Sequence, residues 1–194
     1  RAMLELARIG LEEPDEMRGR LLNYLQVSLR YTAVLESLPV ESAPEEWLGI
    51  LQQSTSPQDL AELHGAAQRV IASYPTHPGL LFITALSRPF LTTEDVKRSE
   101  EEAHACVTHC KEGGQDLRSV AEAFLAFRNQ GWAGSEGMDG LVHDIVGNIY
   151  LDTGVDIEQL VPYLQRDTVR ERWLAVVVQR SVIDSRSHSS REVA

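Results

Sequence analysis

Two cysteines and a histidine stand close together near the middle of the 194-residue chain, at Cys106, His109 and Cys110. On a helix this spacing places all three on one face, and thiolate and imidazole groups are ligands that suit zinc. A tetrahedral site needs a fourth ligand, which would have to come from a distant group such as His77. Three ligands from a single helical turn are unusual for zinc. We therefore expect the cysteines to pack as small apolar residues, and we expect no metal or other cofactor; zinc binding is the alternative.

A second candidate constellation combines Arg98 and His104, which are separated by five residues within a predicted helix. This R-x5-H spacing in a helical chain resembles the motif of HEPN ribonucleases. The resemblance implies that two protomers meet at an RNA phosphate, where Arg98 stabilises charge and His104 supplies acid–base chemistry. Ser99 matches the polar residue that often follows the arginine. Because the three glutamates after Ser99 would repel RNA, we prefer a solvated helix face and keep ribonuclease activity as the alternative.

Three further residues are candidates for contacts with a partner protein: Trp132, Arg166 and Arg170. Trp132 lies in a glycine-rich loop over 131–137, where an exposed indole would serve as an anchor, since tryptophan is enriched at binding hot spots. The alternative is a ring that folds back over the core. Arg166 and Arg170 are four residues apart and so share a helical face, which could meet an acidic partner or a neighbouring domain. Pairing with neighbouring carboxylates is the alternative for these two charges.

Composition and motifs exclude several functional classes. The net charge of −11 argues against nucleic acid as a partner, because neutralising phosphates requires clustered lysine and arginine. No apolar run reaches the roughly 18 residues of a membrane span, and no G-x-S-x-G, Walker, G-x-G-x-x-G or H-E-x-x-H pattern occurs. The two cysteines are too close in sequence for a disulfide between them to stabilise the fold, which favours a reducing, cytoplasmic compartment. The first residue is Arg1 rather than methionine, which favours a piece of a larger protein.

The elements that must position these residues are all predicted to be helices. Apolar side chains recur at steps of three and four residues, and proline and glycine lie between the apolar stretches. The final apolar segment, WLAVVVQRSVI, would also suit a buried strand; we assign it to a helix because no second strand exists to pair with it. The predicted helices cover 2–9, 14–38, 43–51, 57–74, 78–86, 93–112, 116–129, 138–151, 157–165 and 168–183.

Cap residues predict where several of these helices begin. Ser42 with Glu45 has the spacing of a capping box, and Ser56 followed by Pro57 has the pattern of a cap and a first helical residue. Thr92 precedes a segment that starts with acidic residues, as a helix N-terminus favours. The paired glycines after residue 112 indicate a helix end.

Part of the chain, about residues 57–112, resembles the tetratricopeptide repeat, a helix–turn–helix unit of 34 residues that closes with proline. Two departures weaken the match: Pro89 falls inside a predicted first helix, and the loop before Thr93 is about four residues too long for the repeat. The resemblance implies stacked hairpins with a concave surface that grips a peptide or a partner helix. The matching positions are Ala66, Val70, Ser73 and Pro78 in one unit, and Ile83, Leu86, Ser87, Phe90, Ala103, Val107 and Cys110 in the next.

These observations predict an all-α protein. We expect antiparallel helical hairpins, arranged either as a tetratricopeptide-like α-solenoid or as an irregular bundle. Residues 1–185 would form one domain, with 1–112 and 113–185 as possible sub-bundles, and 186–194 a flexible polar tail. The predicted function is non-enzymatic: a scaffold or interaction domain that binds a protein partner or a neighbouring domain, in an oligomeric state that the sequence leaves open. The alternatives are a regulatory bundle that binds a small ligand and the ribonuclease that uses Arg98 and His104.

Overall fold

The computed structural model describes residues 19, 26, 29–54, 56–89, 92–129 and 136–189, the side chains of 136 and 180–189 excepted. All regular secondary structure in these ranges is helical, which confirms the all-α prediction. None of the described helices has the combined length and apolar character that a membrane crossing requires. The helices are α1 (29–36), α2 (Pro44–Gln52), α3 (Pro57–Ile71), α4 (Pro78–Ser87), α5 (Thr93–Glu112), α6 (Leu117–Phe127), α7 (Glu136–Thr153), α8 (Ile157–Leu160) and α9 (Asp167–Ser189).

The chain divides into two compact units, residues 1–89 and 90–194. In the first unit α4 packs against α2 and α3, and all ten residues of α4 are buried. A helix that is apolar on every side, as this one is, must be covered on every side. In the second unit α7 packs against α5, α6 and α9. Residue 112, where the predicted sub-bundles 1–112 and 113–185 would meet, lies within the second unit at the end of α5.

Two of the three predicted helix caps are confirmed and one is wrong. Ser56 Oγ accepts a hydrogen bond from the Asp59 amide at 3.1 Å, and Thr92 forms a capping box with Asp95. The predicted box at Ser42 does not form: α2 begins at Pro44 without any side-chain cap. Ser42 Oγ instead accepts a hydrogen bond of 2.7 Å from the indole Nε1 of Trp47. A buried indole N–H needs an acceptor, and this need outweighs the cap.

The C-terminal segments differ from their predicted bounds. The apolar segment within 168–183 is helical, as predicted, but α9 continues to Ser189, so the first residues of the predicted flexible tail are helical. Residues 190–194 lie outside the described residues. The predicted helix over 157–165 is instead the short α8 followed by a 3₁₀ turn, Val161–Tyr163. Pro162 lies within that turn, and its missing N–H prevents the α-helical hydrogen bond from continuing.

Candidate functional site

A cleft with a volume of about 470 Å³ lies in the second unit, bordered by α5, α7 and α9. The α5 residues that line it recur at steps of three and four, which is why they share one face of that helix. The α7 residues follow the same rule, and α9 contributes one arginine. The lining residues are His104, Val107, Thr108, Lys111 and Glu112 from α5, Ile145, Asn148, Ile149 and Asp152 from α7, and Arg172 from α9.

Asp152 is the centre of a polar network in this cleft. Its carboxylate accepts hydrogen bonds from Lys111 Nζ at 3.3 Å and from Arg172 Nη2 at 2.5 Å. Arg172 Nη1 donates to Asn148 Oδ1 at 2.8 Å. Three helices therefore meet through one carboxylate, which lies between two cations. Both cations, Lys111 and Arg172, remain substantially exposed to solvent.

A second network joins α7 to the start of α9. Asp144 accepts two hydrogen bonds from Arg166, one from Nε at 3.3 Å and one from Nη2 at 3.1 Å, and a third from Thr168 Oγ1 at 2.8 Å. Arg166 had been a candidate for partner contacts, but here it holds α9 to α7. The other candidate arginine, Arg170, forms an ion pair with Asp167 on its own helix. The structure therefore compensates both charges within the chain.

His143 lies beside this second network. Its ring meets the ring of Tyr163 edge-on, with 5.4 Å between the centroids. Burial lowers the pKa of His143 below its ordinary value of 6.5, and the positive charges of Arg128 and Arg166 add to the effect. Asp139 and Asp144 act in the opposite direction. The folded structure therefore favours the neutral form of His143.

The lowered pKa of His143 predicts how stability depends on pH. In the unfolded chain this histidine takes up a proton as the pH falls through about 6.5, while in the folded chain it resists protonation. The contribution of His143 is therefore fully present above pH 6.5 and is lost as the pH falls below it. We expect the melting temperature to drop between about pH 7.5 and pH 5.5, and the drop to be smaller in His143→Gln. His104→Gln, which removes an exposed imidazole from the same unit, is the control; an equal flattening in that variant would contradict the prediction.

The outer face of α9 carries apolar side chains in solvent. Val169 is buried and Trp173 is partly buried, so these residues mark the face that packs on the unit. Leu174 and Val177 lie on another face, where they are 47% and 43% exposed, and Val178 beside them is exposed as well. A helix spacing of three and four residues makes these three side chains neighbours.

The cysteine–histidine constellation does not form a metal site. Cys106 and Cys110 are fully buried, as the preferred interpretation predicted, while His109 Nδ1 lies 3.0 Å from Glu112 Oε2. His77, the possible fourth ligand, belongs to the first unit; its Nδ1 accepts from the Leu80 amide and its Nε2 lies 3.0 Å from Leu38 O. Within the part of the chain that the structure describes, no group of three or more histidine, cysteine or carboxylate side chains is placed to hold a metal ion.

Arg98 and His104, the ribonuclease candidates, have different surroundings. Arg98 is exposed and pairs with Glu94 at 3.3 Å, whereas His104 lines the cleft. Arg98 is not among the residues that line the cleft, and Ser99 is fully buried. Trp132 and its loop lie outside the described residues.

One histidine–serine pair escaped the sequence analysis because its members are far apart along the chain. His64 Nδ1 lies 3.2 Å from Ser87 Oγ, and both residues are buried in the first unit. Ser87 Oγ donates a hydrogen bond to Ile83 O at 2.5 Å. Because a hydroxyl has a single hydrogen, Ser87 accepts a hydrogen bond from the histidine and is not deprotonated by it. The pair therefore joins α3 to α4 and is not arranged as a nucleophile with its base.

Comparisons of the chain with protein-family models, curated proteins and solved structures find no match.

Proposed function

We propose that this chain is a non-enzymatic protein-interaction domain, and that it binds its partner along the outer face of α9. The observation that carries the proposal is the exposed apolar stripe of Leu174, Val177 and Val178. Single exposed apolar residues are common on protein surfaces, but neighbouring ones that form one face mark interaction sites. An amphipathic partner segment that covered this stripe would remove it from water.

The surroundings of the stripe support a protein as the partner. Ile157 is half exposed, and it shares a shallow pocket of about 330 Å³ with Leu160 and Trp173. Trp173 precedes Leu174 in the sequence, so α9 contributes to both the pocket and the stripe. Interfaces that are stable combine an aromatic or aliphatic anchor in a pocket with a broader apolar contact.

Arg166 and Arg170 precede the stripe along the chain. Arg166 and Arg170 are paired with Asp144 and Asp167, so their net contribution to partner affinity is small. Apolar contact rather than charge is therefore expected to supply most of the binding free energy. A tetratricopeptide-like arrangement stays part of the proposal. What supports it is that α3 and α4, which the resemblance assigns to successive repeats, pack on each other.

Site-specific photo-crosslinking tests the proposal. A photoreactive phenylalanine analogue replaces Leu174 or Val177 in the folded chain, and Val40 is the matched control because it is 52% exposed in the first unit. We expect one protein to be crosslinked from positions 174 and 177 and not from position 40. The Leu174→Gln/Val177→Gln double variant is expected to weaken binding of that protein about tenfold, because two half-exposed aliphatic side chains contribute about 1.5 kcal/mol together.

Val40→Gln is expected to leave the affinity unchanged, and the melting temperatures of both variants should match that of the parent chain. Equal crosslinking from all three positions would mean that the stripe has no special role. Crosslinks only to a second copy of this chain would replace the proposed partner by self-association. A double variant that stays folded and keeps its full affinity would overturn the proposal.

A further inference from the structure

Three exposed carboxylates lie beside the apolar residues of α8 and α9, those of Asp156, Glu158 and Glu171. We call them the acidic border. We infer that the partner of this surface is a basic amphipathic helix, whose apolar side chains cover the stripe while its lysine or arginine side chains face the acidic border. This assignment rests on the function proposed above, because it names the chemistry of the partner that the stripe would bind.

One end of the acidic border lies on α9 itself. Glu171 is three residues before Leu174, a spacing that makes the two side chains neighbours on the helix surface. The arginines on either side of it in sequence, Arg170 and Arg172, are each paired with an aspartate. Glu171 therefore places a negative charge next to the stripe.

The other end of the acidic border lies at the start of α8. Asp156 and Ile157 line the shallow pocket together with Trp173 of α9. Trp173 is four residues before Val177, so the pocket adjoins the stripe along one side of α9. Glu158 follows Ile157 in α8. Both ends of the border therefore lie beside residues that the partner would contact.

The charge of the acidic border is not compensated within the described part of the chain. None of its three carboxylates forms an ion pair or a side-chain hydrogen bond with another residue there. The cations of the cleft do not offset them, because Lys111 and Arg172 are balanced by Asp152 and Glu112. A partner that brings positive charge would therefore meet three carboxylates that lack a cation.

Charge complementarity selects among the possible occupants of this surface. Lysine or arginine side chains that flank an apolar helix face would be attracted by the border. A second copy of this chain, docked on the same face about a twofold axis, would oppose like charges. An anionic membrane surface or a nucleic acid would be repelled as well. The described regular structure is all helical and presents no sheet edge for an added strand, which favours a helix as the partner.

Apolar contacts and border charges are expected to act on different rate constants. Charges at the rim of an interface mainly change the association rate and its dependence on salt. Apolar contacts at the centre mainly set the dissociation rate. Loss of a border charge should therefore slow association at low salt and leave dissociation nearly unchanged, whereas loss of a stripe residue should do the opposite.

Two synthetic peptides are the probes, and surface plasmon resonance with the whole chain measures their rate constants. Both peptides carry leucines at helical positions i, i+3, i+4 and i+7; one has lysines at the flanking positions and the other has glutamates. At about 20 mM salt we expect the lysine peptide to bind at least about tenfold more tightly than the glutamate peptide. The difference should nearly vanish above about 0.5 M salt, because exposed charges are then screened.

Charge variants locate the effect at the border. Glu171→Lys is expected to slow association of the lysine peptide about fivefold at low salt, and Glu158→Gln, which only removes a charge, about twofold. Glu122→Lys is the matched control for Glu171→Lys. It changes the net charge equally by reversing an exposed carboxylate of α6, a helix that contributes no residue to the stripe, the pocket or the border. We expect it to change the association rate less than about 1.5-fold.

The inference is overturned if neither peptide binds, or if the two peptides bind equally tightly at low salt. It is also overturned if Glu122→Lys slows association as much as Glu171→Lys and Glu158→Gln has no effect. The Leu174→Gln/Val177→Gln chain tells its failure apart from failure of the proposed function. If both peptides bind the parent chain equally and lose affinity for the double variant, the stripe is the docking surface and only the assigned partner charge is wrong. If the lysine peptide binds the double variant as tightly as the parent, the proposed docking surface is wrong as well.

Discussion

Trp47→Ala is expected to lower the free energy of unfolding by about 4 kcal/mol, the largest effect that we predict for any single truncation in the first unit. Trp47 is 0% exposed, and its ring lies 5.7 Å from that of Phe82, centroid to centroid. Its indole N–H donates to Ser42 Oγ at 2.7 Å. Removing the ring would leave a cavity between α2 and α4 and would remove the hydrogen bond between the indole and the buried Ser42 hydroxyl.

Urea unfolding of the variant measures this loss, and hydrogen exchange of the α4 amides locates it. Tyr74→Ala is the matched control, because it also removes an aromatic ring from the first unit but from a half-exposed position. We expect Tyr74→Ala to cost less than about 1 kcal/mol. Comparable losses in the two variants would show that the Trp47 ring is not the centre of this packing.

Gly79 explains why Trp47 fits so closely. A Cβ atom added at Gly79 would lie 2.6 Å from the indole Nε1 and 2.7 Å from Cδ1. The start of α4 can therefore approach the ring only because position 79 has no side chain. The sequence shows a glycine in the first turn of an apolar helix, but it does not show which side chain occupies the space.

Helix boundaries were predictable where the signal is local. Ser56 and Thr92 cap their helices through side-chain contacts within three residues, so the sequence contains everything needed to find them. The same reasoning was wrong at Ser42, because the burial of Trp47 decided the outcome. Burial is a property of the packed unit and cannot be found from spacing alone.

The cleft could not be predicted for the same reason. Arg172 is bound to Asp152 and Asn148, which are twenty or more residues away along the chain. Arg166 and Arg170 were candidates because of their spacing, whereas nothing in its spacing made Arg172 one. Helical periodicity identifies which residues share one face, but contacts between helices depend on how those helices pack.

The helix α9 contributes residues to both the cleft and the exposed stripe. Arg172 enters the cleft, whereas Leu174 and Val177 lie on the exposed stripe. Both groups belong to one helix that is held to α7 through the Arg166–Asp144 pair. The cleft and the position of the stripe therefore both depend on the close approach of α9 to α7.

Gly147→Ala is expected to disturb that approach and to lower the free energy of unfolding by about 2 kcal/mol. A Cβ atom at position 147 of α7 would lie 2.8 Å from Val169 Cγ2 and 2.9 Å from Tyr163 Cβ. Val169 is β-branched and buried, and the Tyr163 Cβ is attached directly to the backbone, so neither atom can move away without shifting its helix or turn. The overpacking therefore outweighs the gain in helix propensity from alanine, which is at most about 1 kcal/mol.

Gly49→Ala is the matched control, because a Cβ atom at that helical position has no neighbour within 4 Å. There the propensity gain acts alone, and we expect a stabilisation of about 0.5–1 kcal/mol. Val169→Ala in the Gly147→Ala background tests the mechanism, since it removes the two methyl groups that the new Cβ would meet. If the clash is the cause, Gly147→Ala costs less in the Val169→Ala chain than in the parent, and a double-mutant cycle measures the difference. Additive losses in that cycle would mean that position 147 destabilises the second unit by some route other than its contact with α9.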